Sequence, residues 1–437
     1  MTVRFVTLGC KLNFAESSAL GKALLQRGHS RAQEGKPADV CVLNTCTVTD
    51  MADHKCRQAM HRLRRENPDA VLIVTGCYAQ LAADKIQQAG SQPISGQQQP
   101  DALRGWEDAD FILGNEQKFD ITNLVDRIAE LSLQRTQHTE VQSSPIREVE
   151  AFHGAVSHAD RTRCFLKVQD GCNYFCTYCT IPLARGKSRN PAISTLVAEA
   201  QQAVSQGARE IVLTGVNIAD FGRSTGETFI DLLRALDGLQ GDYRLRIGSC
   251  EPNLLTGEII ELVASSRHIA PHFHLPLQSG SNEVLKIMKR HYTRELFAER
   301  VEKIRQIIPY AFIGVDCMVG VRGETEENFE DYLAFVKGLD VSQLHVFTYS
   351  ERARTKMVEM DLTVVPPQER KRRSDILHDV SAHKLQAFYA ANKGRQLTVL
   401  WESKNSKGMM AGFTENYIRV TAPYEPTKVN TFETRIL

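Results

Sequence analysis

The chain has no long uncharged apolar run, and no stretch approaches the roughly 18 apolar residues of a membrane span. Its first residues, MTVRFVTLGC, lead straight into a strand-like pattern, so we expect no signal peptide. The chain also lacks a strong excess of one charge, since its formal net charge is +1. The total charge therefore does not by itself indicate a nucleic-acid partner. These absences argue against a membrane or secreted protein, and the cytoplasm is the expected compartment.

The length of the chain and its cysteine content indicate the number of domains and the state of the thiols. At 437 residues the chain is expected to form two to three domains. A hydrophobic content of 42% and a charged content of 24% are typical of soluble globular proteins. Eleven cysteines without a secretory signal favour reduced thiols or metal ligation over disulfides.

Positive charge is concentrated near the C-terminal end. From Gln368 to Leu437 there are twelve Lys or Arg against seven Asp or Glu, which gives this segment a charge of +5. Such an asymmetry favours an anionic partner there. The run RKRR within it fits a solvated helix face equally well.

The first segment alternates strand-like and helical patterns, which predicts a mainly parallel sheet with helices on its faces. The strand-like runs are VRFVTLG, DVCVLNT, AVLIVTG and DFILGN. Two breaks interrupt or end this pattern. A Gln-rich stretch at 87–105 is interpreted as a surface loop insertion, and the polar stretch 133–160 as a first linker.

The second segment repeats the alternation six times, which predicts an incomplete (β/α)6 barrel with its active site at the carboxyl ends of the strands. Its strand-like runs are RCFLKVQ, EIVLTG, RLRIGS, PHFHLP, AFIGVDCMVG and QLHVFTY. A charged helix over about 367–392 follows. The last segment has short alternating runs (QLTVLWES, GMMAGFTEN, YIRVTAP and VNTFETRIL), which predict a small antiparallel barrel or sheet.

Three cysteines, Cys172, Cys176 and Cys179, stand within eight residues directly after the first barrel strand. A structural zinc site is closed by four ligands, whereas three thiolates can hold three irons of a cubane iron–sulfur cluster and expose the fourth. The exposed iron can bind a small molecule that carries an amine and a carboxylate. Zinc with a fourth ligand from elsewhere and coincidentally buried cysteines are the alternatives.

A second triplet is spread over the first segment. Cys10 ends the first strand-like run in TLGCKLN, Cys46 the second in LNTCTV and Cys77 the third in VTGCYAQ, while the fourth ends in LGNE with Asn115. The three cysteines therefore occupy equivalent places at the edge where open parallel sheets bind ligands. The remaining cysteines are expected to pack as small hydrophobes: Cys41, Cys56, Cys164, Cys250 and Cys317.

The pattern CxxxCxxC at the first strand of a six-unit barrel resembles the radical S-adenosylmethionine enzymes. Two cysteine triplets and a C-terminal β module resemble one family across essentially the whole chain, the methylthiotransferases. Further matching stretches are LTGVNIADFG, RIGSCEP, HLPLQSGSNEVLKIMKRHYT, VGVRGETEENF and YSERARTKM. Two residues depart from the family pattern, Arg322 in place of Pro and Arg354 in place of Gly, and both concern loop shape. The opening TLGCKLN resembles the subgroup that acts on N6-threonylcarbamoyladenosine.

The resemblance implies a fold class and domain bounds. We expect an α/β protein with an N-terminal open parallel sheet domain at 1–140 and a radical S-adenosylmethionine barrel at 155–366. A connecting helix at 367–392 and a small all-β domain at 393–437, similar to the RNA-binding TRAM domain, should complete it.

The resemblance also implies two [4Fe–4S] clusters and S-adenosylmethionine as cofactors. The cluster on Cys172, Cys176 and Cys179 would generate a 5′-deoxyadenosyl radical, and the cluster on Cys10, Cys46 and Cys77 would carry the sulfur. The product would be a methylthio group at C2 of threonylcarbamoyladenosine at position 37, beside the anticodon. Partners would be tRNA and an electron donor, with no membrane or DNA partner expected.

Other polar residues at strand ends complete the predicted site. The predicted cofactor contacts are Gly215, Asn217, Arg246, Ser249, Gln278 and Ser279. The predicted RNA contacts are Arg185, Arg189, Lys393, Arg395 and Arg419. For the polar cofactor contacts ordinary loop capping is the alternative, and for Arg185 and Arg189 it is the bracing of a loop. Alternative functions are methylthiolation of isopentenyladenosine or of a ribosomal-protein aspartate, and an iron–sulfur protein that binds RNA without catalysis.

Overall fold

A computed structural model of the chain describes residues 1–88, 105–136, 138–157 and 162–437. The chain forms two compact units. The first contains residues 1–157 with 171–173 and 179–187, and the second contains 158–170, 174–178 and 188–437. The Gln-rich insertion predicted at 87–105 lies almost wholly outside the described residues. No described helix combines the length and hydrophobicity that crossing a bilayer requires.

The first unit is built on a six-stranded parallel sheet in the order β2-β1-β3-β4-β5-β6. The strands are β1 Thr2–Thr7, β2 Ser30–Arg31, β3 Val40–Thr45, β4 Val71–Gly76, β5 Phe111–Leu113 and β6 Glu140–Gln142. The helices are α1 Lys11–Gln26, α2 Asp50–Glu66, α3 Cys77–Gln88, α4 Ile121–Glu130 and the short α5 Ile181–Arg185. The parallel sheet predicted for this segment is confirmed.

The central strands of this sheet are buried on both faces. All residues of β3 and β4 are buried, as expected for apolar runs of a parallel sheet covered by helices. One face packs against α2 and α3 through Met60, Leu63 and Ala82. The other packs against α1 and α4 through Leu24 and Val125.

Two edge strands could not be recognised in the sequence. The stretch interpreted as a linker at 133–160 contains β6, which pairs in parallel with β5, so the linker interpretation is wrong for residues 140–142. The two-residue β2 pairs with the other edge strand of the predicted set, β1. Both strands are short and partly exposed, which is typical of protected sheet edges.

The second unit contains all six predicted barrel strands. They are β7 Arg163–Lys167, β8 Glu210–Thr214, β9 Arg244–Arg246, β10 His272–Gln278, β11 Phe312–Val319 and β12 Gln343–Thr348. They form two parallel three-stranded sheets, β7-β8-β9 and β10-β11-β12, joined by isolated bridges Leu245–Ile269 and Ser249–His274. The surrounding helices are α6 Ile193–Ser205, α7 Phe229–Asp237, α8 Gly257–Ser265, α9 Asn282–Ile287, α10 Arg294–Ile307, α11 Glu326–Gly338 and α12 Lys356–Glu359.

The same unit ends in helix α13, Pro367–Ala391, and an antiparallel sheet in the order β15-β14-β13-β16. Its strands are β13 Gln396–Ser406, β14 Met409–Thr414, β15 Arg419–Pro423 and β16 Phe432–Ile436. A hydrophobic cluster of Phe312, Phe388, Leu397 and Ile418 joins the sheet and helix to the first residue of β11. The predicted C-terminal β module is confirmed, and it packs on the end of the barrel where the strands begin.

Candidate functional site

The cysteines of the first triplet lie at one edge of the N-terminal sheet. Cys10 follows β1 and caps α1, Cys46 follows β3, and Cys77 follows β4 and begins α3. The strands β1, β3 and β4 are neighbours, with Thr7 paired to Asn44 and Thr45 paired to Gly76. The chain therefore brings these three thiols together at the carboxyl edge of adjacent parallel strands, where open sheets bind ligands.

Two glycines allow the cysteine-bearing loops to approach one another. Gly9 has φ of +102°, and a Cβ there would lie 2.6 Å from Cys46 Cβ and 2.8 Å from Cys46 Sγ. Gly76 has φ of +97°, and a Cβ there would lie 2.5 Å from the Thr45 carbonyl oxygen. Only glycine fits such positions without strain or displacement of the neighbour. The glycine before Cys10 and the one before Cys77 are therefore part of the site.

We expect Gly9→Ala to lower iron binding at the first triplet, because its methyl group would displace Cys46. Iron per reconstituted chain should fall from about eight toward about four, the content of one cubane. Gly28→Ala is the matched control, since Gly28 also has a positive φ, +87°, but a methyl group there would have nothing within 4 Å. Both changes carry backbone strain of about 1–3 kcal/mol, so equal iron in the two variants would contradict the proposed close approach.

A buried charged network supports the first triplet. The Arg185 guanidinium donates from Nε to Cys77 Sγ at 3.2 Å, from Nη to both Glu16 carboxylate oxygens at 3.0 Å, and to Asn13 Oδ1 at 2.7 Å. Lys118 Nζ donates to the same Glu16 at 2.5 Å and to Asn115 Oδ1 at 2.9 Å. Two cations therefore share one buried carboxylate beside the three thiols, which leaves positive charge close to Cys77.

The thiols of this triplet interact electrostatically. Burial raises the pKa of Cys46 to about 12, and the neighbouring Cys77 and Cys10 thiols contribute to that rise. Cys10 is the exposed cysteine of this triplet, yet desolvation by the surrounding chain raises the pKa of its thiol, while the Arg185 guanidinium lowers that pKa and Cys77 raises it. Three thiolates in such a setting repel one another and require a cation. The donor set of three cysteines therefore fits an iron–sulfur cluster with one iron left without a cysteine.

The RNA contact predicted for Arg185 is not supported. Its side chain is only 2% exposed, and the guanidinium is held by Glu16, Asn13 and Cys77. A phosphate cannot reach a side chain buried in this way. The structure gives Arg185 a supporting position next to a cysteine of the first triplet.

The second triplet lies on the loop after β7. Cys172 and Cys179 belong to the first unit and Cys176 to the second. Gly171 has φ of +69°, and a Cβ there would lie 1.9 Å from the Lys187 carbonyl oxygen, so this position requires glycine. The Cys172 N–H donates to the Gly186 carbonyl at 3.0 Å, which fixes the beginning of the loop.

Arg290 contacts the central cysteine of the second triplet. Its Nη1 donates to Cys176 Sγ at 3.1 Å, and its other Nη donates to the Glu251 carboxylate. Burial raises the pKa of Cys176, and the Arg290 charge opposes that rise. Each triplet thus has one cysteine whose sulfur accepts a hydrogen bond from a buried arginine that is paired with a glutamate.

The loop TGVN after β8 has the features of a small-molecule binding loop. Gln169 lies just after β7, and its side-chain oxygen accepts hydrogen bonds from the backbone N–H groups of Val216 and Asn217 at 3.0 and 2.8 Å. A Cβ on Gly215 would lie 2.7 Å from the Gln169 carbonyl oxygen. Asn217 is buried, and neither atom of its side-chain amide has a hydrogen-bond partner among the described residues. Unpaired buried amides are costly, so a ligand that pairs with Asn217 would stabilise the loop.

The other predicted cofactor contacts lie at the ends of β9 and β10. Gln278 ends β10 with φ of +64°, and its buried Oε1 has no hydrogen-bond partner within the described ranges. Ser279 is fully buried, and its hydroxyl oxygen accepts a hydrogen bond from the Ser281 N–H at 3.2 Å. Ser249 is partly buried and forms the bridge to His274. Asn217 and Gln278 both offer unpaired polar atoms that fit the polar groups of S-adenosylmethionine.

Arg246 does not have the role predicted for it. Its guanidinium donates to the buried Glu210 carboxylate at 3.0 and 3.1 Å and to the carbonyls of Glu415 and Thr414 at 3.1 and 3.4 Å. Burial would raise the pKa of Glu210, but Arg246 and Arg244 hold it well below its usual range. This charged cluster attaches the C-terminal sheet to the barrel, so Arg246 cannot also hold a cofactor carboxylate.

The remaining predicted RNA contacts divide into two groups. Arg189 is 8% exposed and pairs with Asp170, which also pairs with Lys167, so it braces the loop after β7 and is not placed for phosphate. Lys393, Arg395 and Arg419 are exposed on the C-terminal module. These three stay predicted RNA contacts.

The two departures from the family pattern have local explanations. Arg354, where the pattern has glycine, adopts φ of +68°, a conformation that ordinarily favours glycine. Arg322, where the pattern has proline, pairs with Glu351 at 2.9 Å and donates to the Val358 carbonyl. Both changes affect loops and leave the six cysteines in place.

Comparisons with known proteins agree with this arrangement. Residues 2–94 match the family model described as Uncharacterized protein family UPF0004, and residues 166–336 match the Radical SAM superfamily. The chain is 36% identical to threonylcarbamoyladenosine tRNA methylthiotransferase MtaB of Aquifex aeolicus, over 96% of each chain. It is also 36% identical to the protein of that name from Bacillus subtilis, over 96% of this chain and 90% of the relative. The chain belongs to the radical S-adenosylmethionine methylthiotransferase family.

Other relatives and a solved structure extend the comparison. A tRNA-2-methylthio-N6-dimethylallyladenosine synthase of Carboxydothermus hydrogenoformans is 34% identical over 84% of this chain and 80% of the relative. The structure of the radical S-adenosylmethionine methyltransferase TsrM from Kitasatospora setae matches with a TM-score of 0.53. It is 15% identical and covers 82% of this chain and 76% of that chain, so it supports the fold. As a member of this family, the methylthiotransferase uses two [4Fe–4S] clusters and S-adenosylmethionine.

The residues that support the methylthiotransferase cysteines could not be singled out in the sequence. Arg290 and Glu251 lie inside two of the stretches that carry the family resemblance, HLPLQSGSNEVLKIMKRHYT and RIGSCEP. Their place in these stretches is the one sequence feature that points to a functional role. Glu16 and Lys118 lie in a helix and near a strand end without any motif. Their role follows only from the fold.

Proposed function

We propose that this methylthiotransferase attaches a methylthio group to C2 of N6-threonylcarbamoyladenosine at position 37 of tRNA. The observation that carries the proposal is the placement of Cys10, Cys46 and Cys77 at three adjacent strand ends, in a chain that also has the triplet Cys172, Cys176 and Cys179. The substrate is that named for relatives 33–36% identical over at least 95% of this chain.

The residues of the chain have distinct tasks in this function. When bound, the two clusters and S-adenosylmethionine supply the radical, the sulfur and the methyl group. The six cysteines hold the clusters through thiolate sulfur. Arg185 and Arg290 donate hydrogen bonds to Cys77 and Cys176 and balance part of the negative charge there. Hydrogen bonds to cluster sulfurs raise reduction potentials, so both arginines should make reduction by an electron donor easier.

The C-terminal module is proposed to bind tRNA through its exposed cations. Lys393 and Arg395 precede β13, and Arg419 begins β15. Removing the module would be a poor test, because Arg244 and Arg246 donate to backbone carbonyls within it, those of Thr398, Phe413, Glu415 and Thr414. A truncated chain would expose a buried charged cluster and would lose stability along with RNA affinity.

Replacing Lys393, Arg395 and Arg419 together with glutamine should weaken tRNA binding and preserve folding. Each phosphate contact contributes about 0.7–0.9 to the slope of log affinity against log salt, so the triple change should lower the slope by about 2 to 3. Filter binding or fluorescence anisotropy between low and moderate salt measures both quantities. The control replaces Lys371 and Arg372 on α13 with glutamine; both are exposed, and they pair with Asp375, Glu369 and Glu326. An equal weakening per cation removed in the two variants would remove the special role of the C-terminal module.

The function itself is tested by mass analysis of tRNA nucleosides from cells that lack the protein. We expect 2-methylthio-N6-threonylcarbamoyladenosine to disappear and its unthiolated precursor to accumulate, with restoration by the intact gene. If the cells instead lost the methylthio derivative of isopentenyladenosine, the proposed substrate would be wrong. The chain would then act on the nucleoside named for the relatives that are 30% and 34% identical.

A further inference from the structure

Three side chains of metal-ligand type converge on the barrel sheet, and methylthiolation as proposed does not use them. His274 lies on β10, Asp316 on β11 and His345 on β12. Asp316 pairs directly with His345, and His274 pairs with Gly314, two residues before Asp316. Because side chains two residues apart on a strand share a face, all three project from the same face of the sheet.

The ligand atoms have the spacing that one bound ion would impose. His274 Nε2 lies 2.8 Å from Asp316 Oδ1 and 3.2 Å from His345 Nδ1, and His345 Nδ1 lies 3.5 Å from Asp316 Oδ1. Nitrogen and oxygen ligands bind a zinc ion at about 2.0–2.2 Å, which places neighbouring ligands about 2.8–3.6 Å apart in octahedral or tetrahedral geometry. The three distances lie within this range.

Hydrogen bonds between neutral side chains pair the three ligand atoms only in part. A neutral imidazole nitrogen carries either one N–H or one lone pair, so His274 Nε2 can serve only one of its two neighbours as a donor. An aspartate carboxylate is ordinarily ionised at neutral pH, as a metal ligand must be.

The surroundings leave room for an ion and for further ligands. A Cβ on Gly314 would lie 3.4 Å from His345 Cε1 and 2.9 Å from Phe312 Cε1, so glycine keeps the space beside His345 open. The side chains of His274, Asp316 and His345 are 23%, 17% and 35% exposed. Solvent can reach the cluster, and coordination positions beyond the three protein ligands stay accessible.

We propose that His274, Asp316 and His345 bind one divalent first-row transition ion, with the remaining positions open to water or another ligand. Two imidazoles and one carboxylate favour zinc, iron(II), cobalt(II) or manganese(II), whereas magnesium and calcium prefer oxygen ligands throughout. The site goes beyond the proposed function because it requires none of the six cysteines of the two triplets. It would be a third metal centre of the chain, beside the two clusters.

The test uses the full-length protein with both clusters reconstituted. The protein is equilibrated with zinc chloride and desalted, and its zinc and iron are measured together by mass spectrometry. We expect about one zinc ion per parent chain, and at least a roughly tenfold lower zinc content in Asp316→Asn and in His345→Gln. The control His268→Gln removes another partly buried histidine, which stacks on Tyr243 and bonds the Asp237 carbonyl, and should keep its zinc. Equal iron in all four proteins shows that zinc has not replaced a cluster.

Melting temperature provides a second measurement, and the unfolding transition itself shows whether each variant is folded. An ion that binds only the folded chain raises the melting temperature as its concentration rises. Zinc should therefore stabilise the parent and His268→Gln, and not Asp316→Asn or His345→Gln. The proposal is overturned if the parent retains no zinc and shows no such rise, or if Asp316→Asn and His345→Gln hold as much zinc as the parent. In either case the three side chains form a hydrogen-bonded cluster alone.

Discussion

Replacing Cys172, Cys176 and Cys179 together with alanine is expected to abolish both 5′-deoxyadenosine formation and methylthiolation of tRNA. These cysteines are proposed to hold the cluster at which S-adenosylmethionine is cleaved, and the unpaired amide of Asn217 is proposed to bind that cofactor. Iron per reconstituted chain should fall from about eight to about four, because one of two four-iron cubanes is lost. Iron analysis and chromatography of 5′-deoxyadenosine after chemical reduction measure the two effects.

The matched control removes the same number of thiols from the barrel. Cys164, Cys250 and Cys317 are buried there, and burial raises the pKa of Cys317 to about 12, as expected for an inert core thiol. Their joint replacement with alanine should leave the iron content and both products in place, at a temperature where the variant is folded. If the change of Cys172, Cys176 and Cys179 emptied both iron sites, or neither, the assignment of two independent clusters would be wrong.

Replacing Cys10, Cys46 and Cys77 with alanine is expected to abolish methylthiolation and to spare reductive formation of 5′-deoxyadenosine. The reason is the separate placement of this triplet, on the carboxyl edge of the N-terminal sheet and supported by Arg185, Glu16 and Lys118. The second triplet lies on the loop after β7. Arg290, which donates a hydrogen bond to Cys176, follows helix α9. Counting 5′-deoxyadenosine and methylthiolated nucleoside in the same reaction gives the ratio that distinguishes the two triplets.

Cys41→Ala is the control for the second experiment. Cys41 lies on β3, five residues before Cys46, and packs in the core with Leu43 and Val74. Its replacement should change neither product. Continued methylthiolation by the variant that lacks Cys10, Cys46 and Cys77 would mean that these cysteines are structural and that sulfur reaches the substrate from another source.

The strands that carry the cysteines could be predicted from the sequence because they are long, apolar and rich in β-branched residues. The runs VCVLNT and VLIVTG became the fully buried β3 and β4. The edge strands Ser30–Arg31 and Glu140–Gln142 could not be predicted, because strands of two or three residues with at most one apolar side chain show no periodicity. The first cysteine triplet could be placed at strand ends for the same reason. A strand that is easily recognised in the sequence also has an end that can be located.

The arginines were harder to interpret, because their roles depend on partners that are distant in sequence. Arg185 meets Glu16 across 169 positions, and Arg246 meets Glu210 across 36. An isolated arginine after a metal motif resembles a phosphate contact until the fold shows its carboxylate partner. The pairing of Arg244 with Glu210, the first residue of β8, places this cluster toward the beginning of the barrel strands. Residues at that end of such a barrel ordinarily support stability, and Arg246 follows this rule.

The central claim is that this chain itself converts N6-threonylcarbamoyladenosine in tRNA to its 2-methylthio derivative. The most direct measurement incubates the reconstituted protein with S-adenosylmethionine, a reductant and tRNA that carries either threonylcarbamoyladenosine or isopentenyladenosine, and then analyses the nucleosides by mass. We predict the methylthio product with the first tRNA, dependent on both cysteine triplets, and little with the second. Cleavage of S-adenosylmethionine without methylthiolation of the threonylcarbamoyladenosine tRNA, or a clear preference for the isopentenyladenosine tRNA, would contradict the claim.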